Sequence, residues 1–450
     1  MAQKSLKKLI LSSSITAILT CASSGNVLAD GSTTEALEAR IAELENLVHQ
    51  LMNNQPAPAP STASVAATAE GAAEAKVVAM MEDHHKAQEE KAAKHTYKFG
   101  GFIKTDVIFS DFSGGSVSSG SAGRDFFIPA VVPVGTHGES YLDFHAKESR
   151  INFKTTHNLD NGAKLGTFFE MDFQLPSQGD ERISNSYSPR IRHAFATYNN
   201  WLFGQTWMTF FNVGALPENL DFVGPAESTI FGRQTMIRYT NGPWQLAFEN
   251  PETTVTPYGG GGRIVADDNK VPDTVLRYNL KRDWGTFTAA GMVRQMAYKN
   301  SATGIDDSTT GFGISLSGKF VFSNKDDFRW MASTGALGRY IGLNISNGAV
   351  LDSTGSLKTI DSTGVFGSFR HLWNEKWRSN LTLGYLSVDN DTSLTGMGAT
   401  KKMSSMHFNL IYSPQPKLDF GAEIMVADRE LESGADGDLT RLQFSAKYSY

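Results

Sequence analysis

A single cysteine among 450 residues excludes a disulfide framework. No apolar run beyond the N-terminus reaches the roughly 18 residues that a membrane helix needs, which excludes a helical membrane protein. Charge of one sign is scarce: 41 Lys and Arg against 47 Asp and Glu leave −6, too mild to imply a nucleic-acid partner. Proline is modest at 15, and only 40% of residues are hydrophobic. Catalytic signatures are missing as well. There is no nucleophile elbow and no zinc spacing, and Gly259–Gly262 is followed by no helix that could cradle a phosphate. The sequence offers no catalytic residue, no metal site and no cofactor. What it has in quantity is glycine (42), phenylalanine (28) and tyrosine (13), a composition suited to many strands joined by turns.

Residues 1–29 read as a signal peptide, with Lys4, Lys7 and Lys8 before the apolar Leu9 to Leu19 and a small-residue exit at Val27-Leu28-Ala29. The mature chain then begins at Asp30 and keeps no thiol, because Cys21 leaves with the leader. Lipidation of Cys21 is the alternative, and Leu19-Thr20 fits it poorly. Within residues 30–52, Leu37, Ile41, Leu44, Val48 and Leu51 recur at spacings of four and three, the seam of a short coiled coil. Ile41 and Val48 at a with leucine at d suit two strands. Leu47 and Met52 widen the stripe toward three, and three is the reading taken. A helix docked on its own chain stays open as the plainer account. Residues 53–95 are a linker: a Pro/Ala-rich spacer to Lys76, then a short polar helix whose Asp83, His84 and His85 form a solvated run rather than a metal site.

From residue 96 to 450 the period is two. The last ten residues alternate without a fault, with Leu442, Phe444, Ala446, Tyr448 and Tyr450 on one side and Arg441, Gln443, Ser445, Lys447 and Ser449 on the other. An apolar, aromatic side facing lipid and a polar side facing water is the pattern of an outer-membrane barrel strand. It recurs at Tyr97, Phe99, Ile103, Val107 and Phe109 and again at Phe169, Met171 and Phe173. Short turn signals, such as Asp160-Asn161-Gly162, Asn241-Gly242-Pro243 and Pro414-Gln415-Pro416, occur at seven places. Longer stretches alternate with them at eight, near 111–138, 176–187, 209–229, 251–271, 299–308, 341–360, 389–400 and 431–438. The expected fold is therefore all-β: a sixteen-stranded antiparallel transmembrane barrel behind an N-terminal coiled-coil segment. Trp201, Trp244, Trp284, Trp373 and Trp377 beside the turns suit an interface girdle. Such a barrel lies among outer-membrane lipid and lipopolysaccharide, and its interior is expected to be water-filled because side chains cannot fill that girth.

Alternation places Lys104, Arg150, Lys154, Arg192, Arg277 and Arg294 on the inner wall near mid-strand, with Arg238 toward the periplasmic end. Acidic residues share that wall, among them Glu170, Asp172, Asp273 and Glu423. Facing charges of both signs set a transverse field across a wet pore, and guanidinium groups grip carboxylates by paired donors. Pairing among these charges, merely to satisfy a polar interior, is the competing account of each. The stretch Thr209 to Thr229 carries too many apolar residues for a surface loop. It is expected to fold back inside, where Glu218, Asp221 and Glu227 narrow the lumen opposite the basic wall; a loop packed over the mouth or at a subunit contact is the plainer account.

Ser149-Arg150-Ile151-Asn152-Phe153, Arg190-Ile191-Arg192-His193-Ala194-Phe195, Gly204-Gln205-Thr206-Trp207 and Arg233-Gln234 with Arg238-Tyr239, behind a Leu/Ile coiled coil, resemble the DcaP-like family of trimeric outer-membrane porins. The resemblance spans essentially the whole mature chain. It implies a homotrimer with the coiled coil in the periplasm, and uptake of small anionic solutes, typically dicarboxylates, through an arginine-rich constriction. By that likeness Arg150, Arg192, Arg233 and Arg238 are its basic positions. Tyr450 stands where many such barrels end in Phe, and still supplies an aromatic to the barrel assembly machinery. The rival readings are a structural or adhesive barrel, or an outer-membrane lipase. The lipase would need a Ser/His pair such as His193 and Ser445, whose pairing nothing in the sequence supports.

Overall fold

The computed structural model describes residues 94–175 and 186–450. The expected signal peptide and coiled coil, and the linker up to residue 93, lie outside the described residues. The wall begins with β1 (His95–Phe112), β2 (Glu139–His145), β3 (Arg150–Asn158), β4 (Lys164–Asp172), β5 (Arg190–Tyr198), β6 (Trp201–Trp207), β7 (Arg233–Asn241) and β8 (Trp244–Glu249). The next connection holds the short strands β9 (Thr253–Thr256) and β10 (Ile264–Ala266). The wall continues through β11 (Asp273–Arg282), β12 (Gly285–Asn300), β13 (Ile305–Val321) and β14 (Asp327–Gly335). After β15 (Ala349–Leu351) and β16 (Leu357–Thr359), it finishes with β17 (Asp361–Leu372), β18 (Trp377–Asp389), β19 (Thr400–Gln415), β20 (Leu418–Leu431) and β21 (Asp436–Ser449).

One edge of β1 pairs with β2 (Asp106 opposite His145) and then with β3 (Phe102 opposite Arg150), while its other edge pairs with β21 (Phe102 opposite Ser449). β2 and β3 are thus one wall strand interrupted at residues 146–149. The seventeen wall segments make sixteen strands in a closed antiparallel barrel. All seven expected short turns join successive wall strands at one end. Two connections at the other end are shorter than expected. β12 runs to Asn300 and β13 starts at Ile305, and β20 and β21 are separated only by residues 432–435. Polar residues there belong to strands that continue past the apolar belt.

Alternation sorts the faces as expected. Phe99, Ile103, Phe312, Ile314, Leu383 and Phe444 are exposed on the outer face, whereas Asp106, Ser110, Ser317 and Gln443 on the inner face are buried. At the short-turn end Trp201 meets Tyr239, Trp244 meets Tyr278 and Trp377 meets Tyr412, with ring centroids 4.5–4.7 Å apart, an aromatic girdle. The seam of closure is tight. Tyr450 donates its backbone N–H to the Gly101 carbonyl (3.2 Å) and its hydroxyl to the Arg150 carbonyl (3.2 Å). Gly101 takes φ 154°, and a Cβ there would lie 2.1 Å from that same Arg150 oxygen, so only glycine fits.

The interior departs from a simple water-filled tube. Wall side chains cannot fill so wide a barrel, and three connections enter it instead. Phe126, Phe127 and Val132 follow β1. Phe210, Phe211, Val223 and Ile230 come from residues 208–232, and Leu337, Tyr340, Ile341 and Ile345 from the stretch after β14. They pack on inward wall residues such as Met292, Met331, Phe366, Leu386 and Met425, giving a buried apolar plug toward the long-connection end. An isolated bridge between Ile230 and Ile341 ties two of the connections together.

Candidate functional site

The stretch Thr209 to Thr229 does fold into the barrel, yet its carboxylates do not all face the lumen. Asp221 is buried and accepts hydrogen bonds from the backbone N–H groups of Phe127 (2.7 Å), Val223 and Gly224 (3.1 Å each), fastening the loop to itself and to the β1–β2 connection. Glu227, fully buried, accepts from Ser405 Oγ (2.8 Å) on the wall. Only Glu218 remains partly exposed, where it takes Arg378 Nε and Nη2 (2.9 and 2.7 Å), with Arg370 at 3.7 Å. The physical reason is local: a loop crossing a barrel must satisfy its own backbone donors, which Asp221 does, and must be fixed to the wall, which Glu227 does through Ser405.

Four of the expected basic residues, one lysine and three arginines, serve the folded-in loops. Lys104, 6% exposed, donates to Glu148 (2.7 Å) and to the Leu220 carbonyl (2.7 Å), and lies 3.1 Å from Asp106. Arg277 Nη1 donates to the Phe211 carbonyl (2.7 Å), and Arg238 reaches Thr209 Oγ1 (3.3 Å). Arg294 donates to the carbonyls of Leu337 (3.2 Å) and Glu252 (2.6 Å), holding two connections to the wall. These residues are on the inner wall as alternation predicts, and they are engaged with the folded-in backbone.

The remaining arginines gather elsewhere. β4 turns Glu170 and Asp172 inward, and β5 answers with Arg190 and Arg192. The pairing slips by one residue between Glu170, opposite His193, and Met171, opposite Ile191, so Arg192 is the extra residue of a bulge. That bulge turns two consecutive side chains inward, Arg192 at 1% exposure and His193 at 5%. Arg192 binds Glu170 (2.7 Å) and Asp172 (2.6 Å), and Arg190 forks onto Asp172 (2.9 and 2.7 Å). Arg150 on β3 and Arg233 on β7 flank this group. Neither has a carboxylate within ion-pair distance among the described residues, and Arg150 Nε and Arg233 Nη1 are buried without a hydrogen-bond partner. The loop drops an aromatic ring among them: Phe222 lies 5.4 Å from Arg192, 5.8 Å from Arg150 and 5.9 Å from Arg190. Arg233 stacks on Trp207 at 4.4 Å and approaches Phe231 at 5.7 Å.

Four guanidinium groups thus face two carboxylates, and the surplus charge sits on Arg150 and Arg233, whose forks are free to take the oxygens of an anion bidentately. Sequence reasoning missed Lys447. It lies over the Phe102 ring at 4.5 Å, with Arg150 over the same ring at 4.9 Å, in a cavity of about 190 Å³ bounded by the loop. Its inward place was legible in the alternation of the last strand. The aromatic partners Trp207 and Phe231 carried no signal, since only the folded loop brings them to the arginines.

A closed sixteen-stranded barrel with an aromatic outer belt and a loop folded in beside an arginine wall is a bacterial outer-membrane channel. The chain belongs to the DcaP outer membrane protein family, whose model matches residues 35–450. Its fold is similar to the crystal structure of the outer membrane channel DcaP of Acinetobacter baumannii (24% identity, 80% of this chain, 98% of that one, TM-score 0.65). It is also similar to a loop L8 deletion mutant of OmpT, an outer membrane protein of Vibrio cholerae (12% identity, 79% and 100% coverage, TM-score 0.51). A comparison with curated proteins found no match.

Proposed function

We propose that the protein is a passive porin, selective for small anions and in particular dicarboxylates, which pass the arginine wall beneath Phe222. The observation that carries this reading is the pair Arg150 and Arg233, half-buried guanidinium groups with no carboxylate at ion-pair distance among the described residues, beside the folded-in loop that carries Phe222. A porin wall whose arginines were all paired would be scaffold only. Here two charges are left over, enough to draw an anion and too exposed to water to hold it permanently. The chain works as a homotrimer whose coiled coil, residues 30–52, stands in the periplasm; the heptad spacing and the family likeness support this. The test is the reversal potential of the reconstituted full-length channel across a potassium chloride gradient, with succinate and phthalate added as blockers. Chloride preference with block at low ligand concentration is expected. A cation preference, or a closed barrel without conductance, defeats the proposal and favours a structural or adhesive role.

A further inference from the structure

A second cavity, of about 570 Å³, opens at the long-connection end and shares no residue with the arginine cluster. Its size is that of small-molecule sites, roughly 300–1,000 Å³. Two arginines line it, Arg263 from the β9–β10 connection and Arg429 near the end of β20, and among the described residues no Asp or Glu does. Both guanidinium groups are held by neutral acceptors. Arg263 Nε donates to Asn347 Oδ1 (2.6 Å) and its Nη2 to the Asn344 carbonyl. Arg429 Nη1 donates to the carbonyls of Ala130 and Val132 (2.9 Å each) and its Nη2 to Thr400 Oγ1 (2.9 Å). Carbonyl and hydroxyl oxygens fix the direction of a guanidinium without cancelling its charge, whereas a carboxylate would do both.

An independent observation points into the same space. Ser346 is 8% exposed, and its hydroxyl is buried with no hydrogen-bond partner while its residue lines the cavity. Buried hydroxyls are normally satisfied. The other polar groups there are amides and hydroxyls, Asn347, Asn390 and Thr400 among them, and no aromatic ring lines the walls. The arginine cluster, by contrast, is packed with rings. A flat aromatic acid gains nothing from the outer cavity, while a ligand hydroxyl finds the unpartnered Ser346 hydroxyl there, and the amide oxygens of Asn347 and Asn390 keep lone pairs to accept with.

We propose that this cavity is a separate anion site for small hydroxylated carboxylates, which it collects at the long-connection mouth before they reach the inner wall. Two fixed charges draw the carboxylate, and the Ser346 hydroxyl with the neighbouring amides reads its hydroxyl groups. The proposal stands apart from the role given to Arg150 and Arg233. It would hold for a channel whose inner wall proved inert.

The experiment uses the full-length protein, oriented in a planar bilayer, with tartrate or succinate added to one side at a time. Tartrate added at the long-connection side should interrupt the current at lower concentration than succinate, and lower than tartrate from the opposite side. Arg263→Gln should weaken that block roughly three- to tenfold, as expected for a solvent-screened charge, while leaving succinate block unchanged. Arg263→Lys should restore most of it. Ser346→Ala breaks no bond within the protein and should bring the tartrate and succinate affinities together. Tartrate block that is equal from both sides and is lost in Arg150→Ala rather than in Arg263→Gln would overturn the site. So would a tartrate preference untouched by both Arg263→Gln and Ser346→Ala. Loss of succinate block in Arg150→Ala alone speaks to the inner wall and leaves this result distinct.

Discussion

Replacing Arg150 and Arg192 by alanine, one at a time, separates two kinds of arginine that alternation alone treats alike. Each substitution removes one positive charge from the cluster, so each should reduce chloride preference by a similar amount. Their effects on stability should differ. Arg192 is 1% exposed and is the guanidinium that binds Glu170, while it shares Asp172 with Arg190. Its removal strands the Glu170 carboxylate in a buried setting, a change that costs about 3–5 kcal/mol when one partner of a buried ion pair is deleted. Arg190 still neutralises Asp172, which puts the expected loss near the lower end. Among the described residues Arg150 has no carboxylate to strand, so Arg150→Ala should leave stability within about 1 kcal/mol of the parent. What it loses is a bidentate grip on a passing carboxylate, roughly 1–3 kcal/mol, or about ten- to hundredfold in the concentration of succinate that blocks half the current. The assays are the urea midpoint of barrel unfolding in detergent and ligand block in the bilayer. Equal destabilisation by both substitutions, or unchanged block in Arg150→Ala, refutes the distinction between paired and unpaired arginines.

Phe444→Lys should impair insertion by about 2–4 kcal/mol, because the side chain faces lipid near mid-strand, while the adjacent Gln443→Lys should fold; insertion yields into vesicles decide it. Gly101→Ala should lower the melting temperature of the barrel, since the added methyl meets the Arg150 carbonyl at the closing seam; a melt identical to the parent's would contradict that geometry. Asp221→Ala leaves three buried N–H groups without their acceptor, at about 1–3 kcal/mol each, and should free the loop and raise single-channel conductance while the wall stays intact.

The wall was legible because lipid imposes strict alternation on every strand that crosses it, and turn residues then mark the short end. Legibility fades where lipid stops acting. The stretches near Lys299 and Leu431 read as loops because strands above the apolar belt carry polar residues on both faces, yet the pairing continues to Asn300 and Leu431. The bulge at Arg192 has no signature in the sequence, since it arises from the register of β5 on β4. The partners of each arginine likewise depend on which residue lies opposite, so the split between Arg150 and Arg192 was beyond reach. Thr209 to Thr229 betrayed its inward course by its apolar content. The stretch after β14 hides the same habit behind Asn344, Ser346 and Asn347, though Tyr340 and Ile341 are completely buried.

The strands differ greatly in length, and this gives the barrel an uneven rim. β8 has six residues and β6 seven, whereas β12 and β13 have sixteen and seventeen. At about 3.3 Å per residue and a tilt near 40°, β8 rises only about 15 Å and β13 about 43 Å, against an apolar band about 25 Å tall. The barrel extends past the apolar band along one sector and falls short of it along another, and the short sector carries Trp207, Arg233 and their neighbours. A second barrel pressed against that sector would remove the mismatch without any thinning of the membrane. In the homotrimer proposed above, the subunit contact and the arginine wall would then be two faces of the same few strands. Substitutions that loosen the assembly would strain the bilayer directly behind the wall, and so reach the permeation path without touching it.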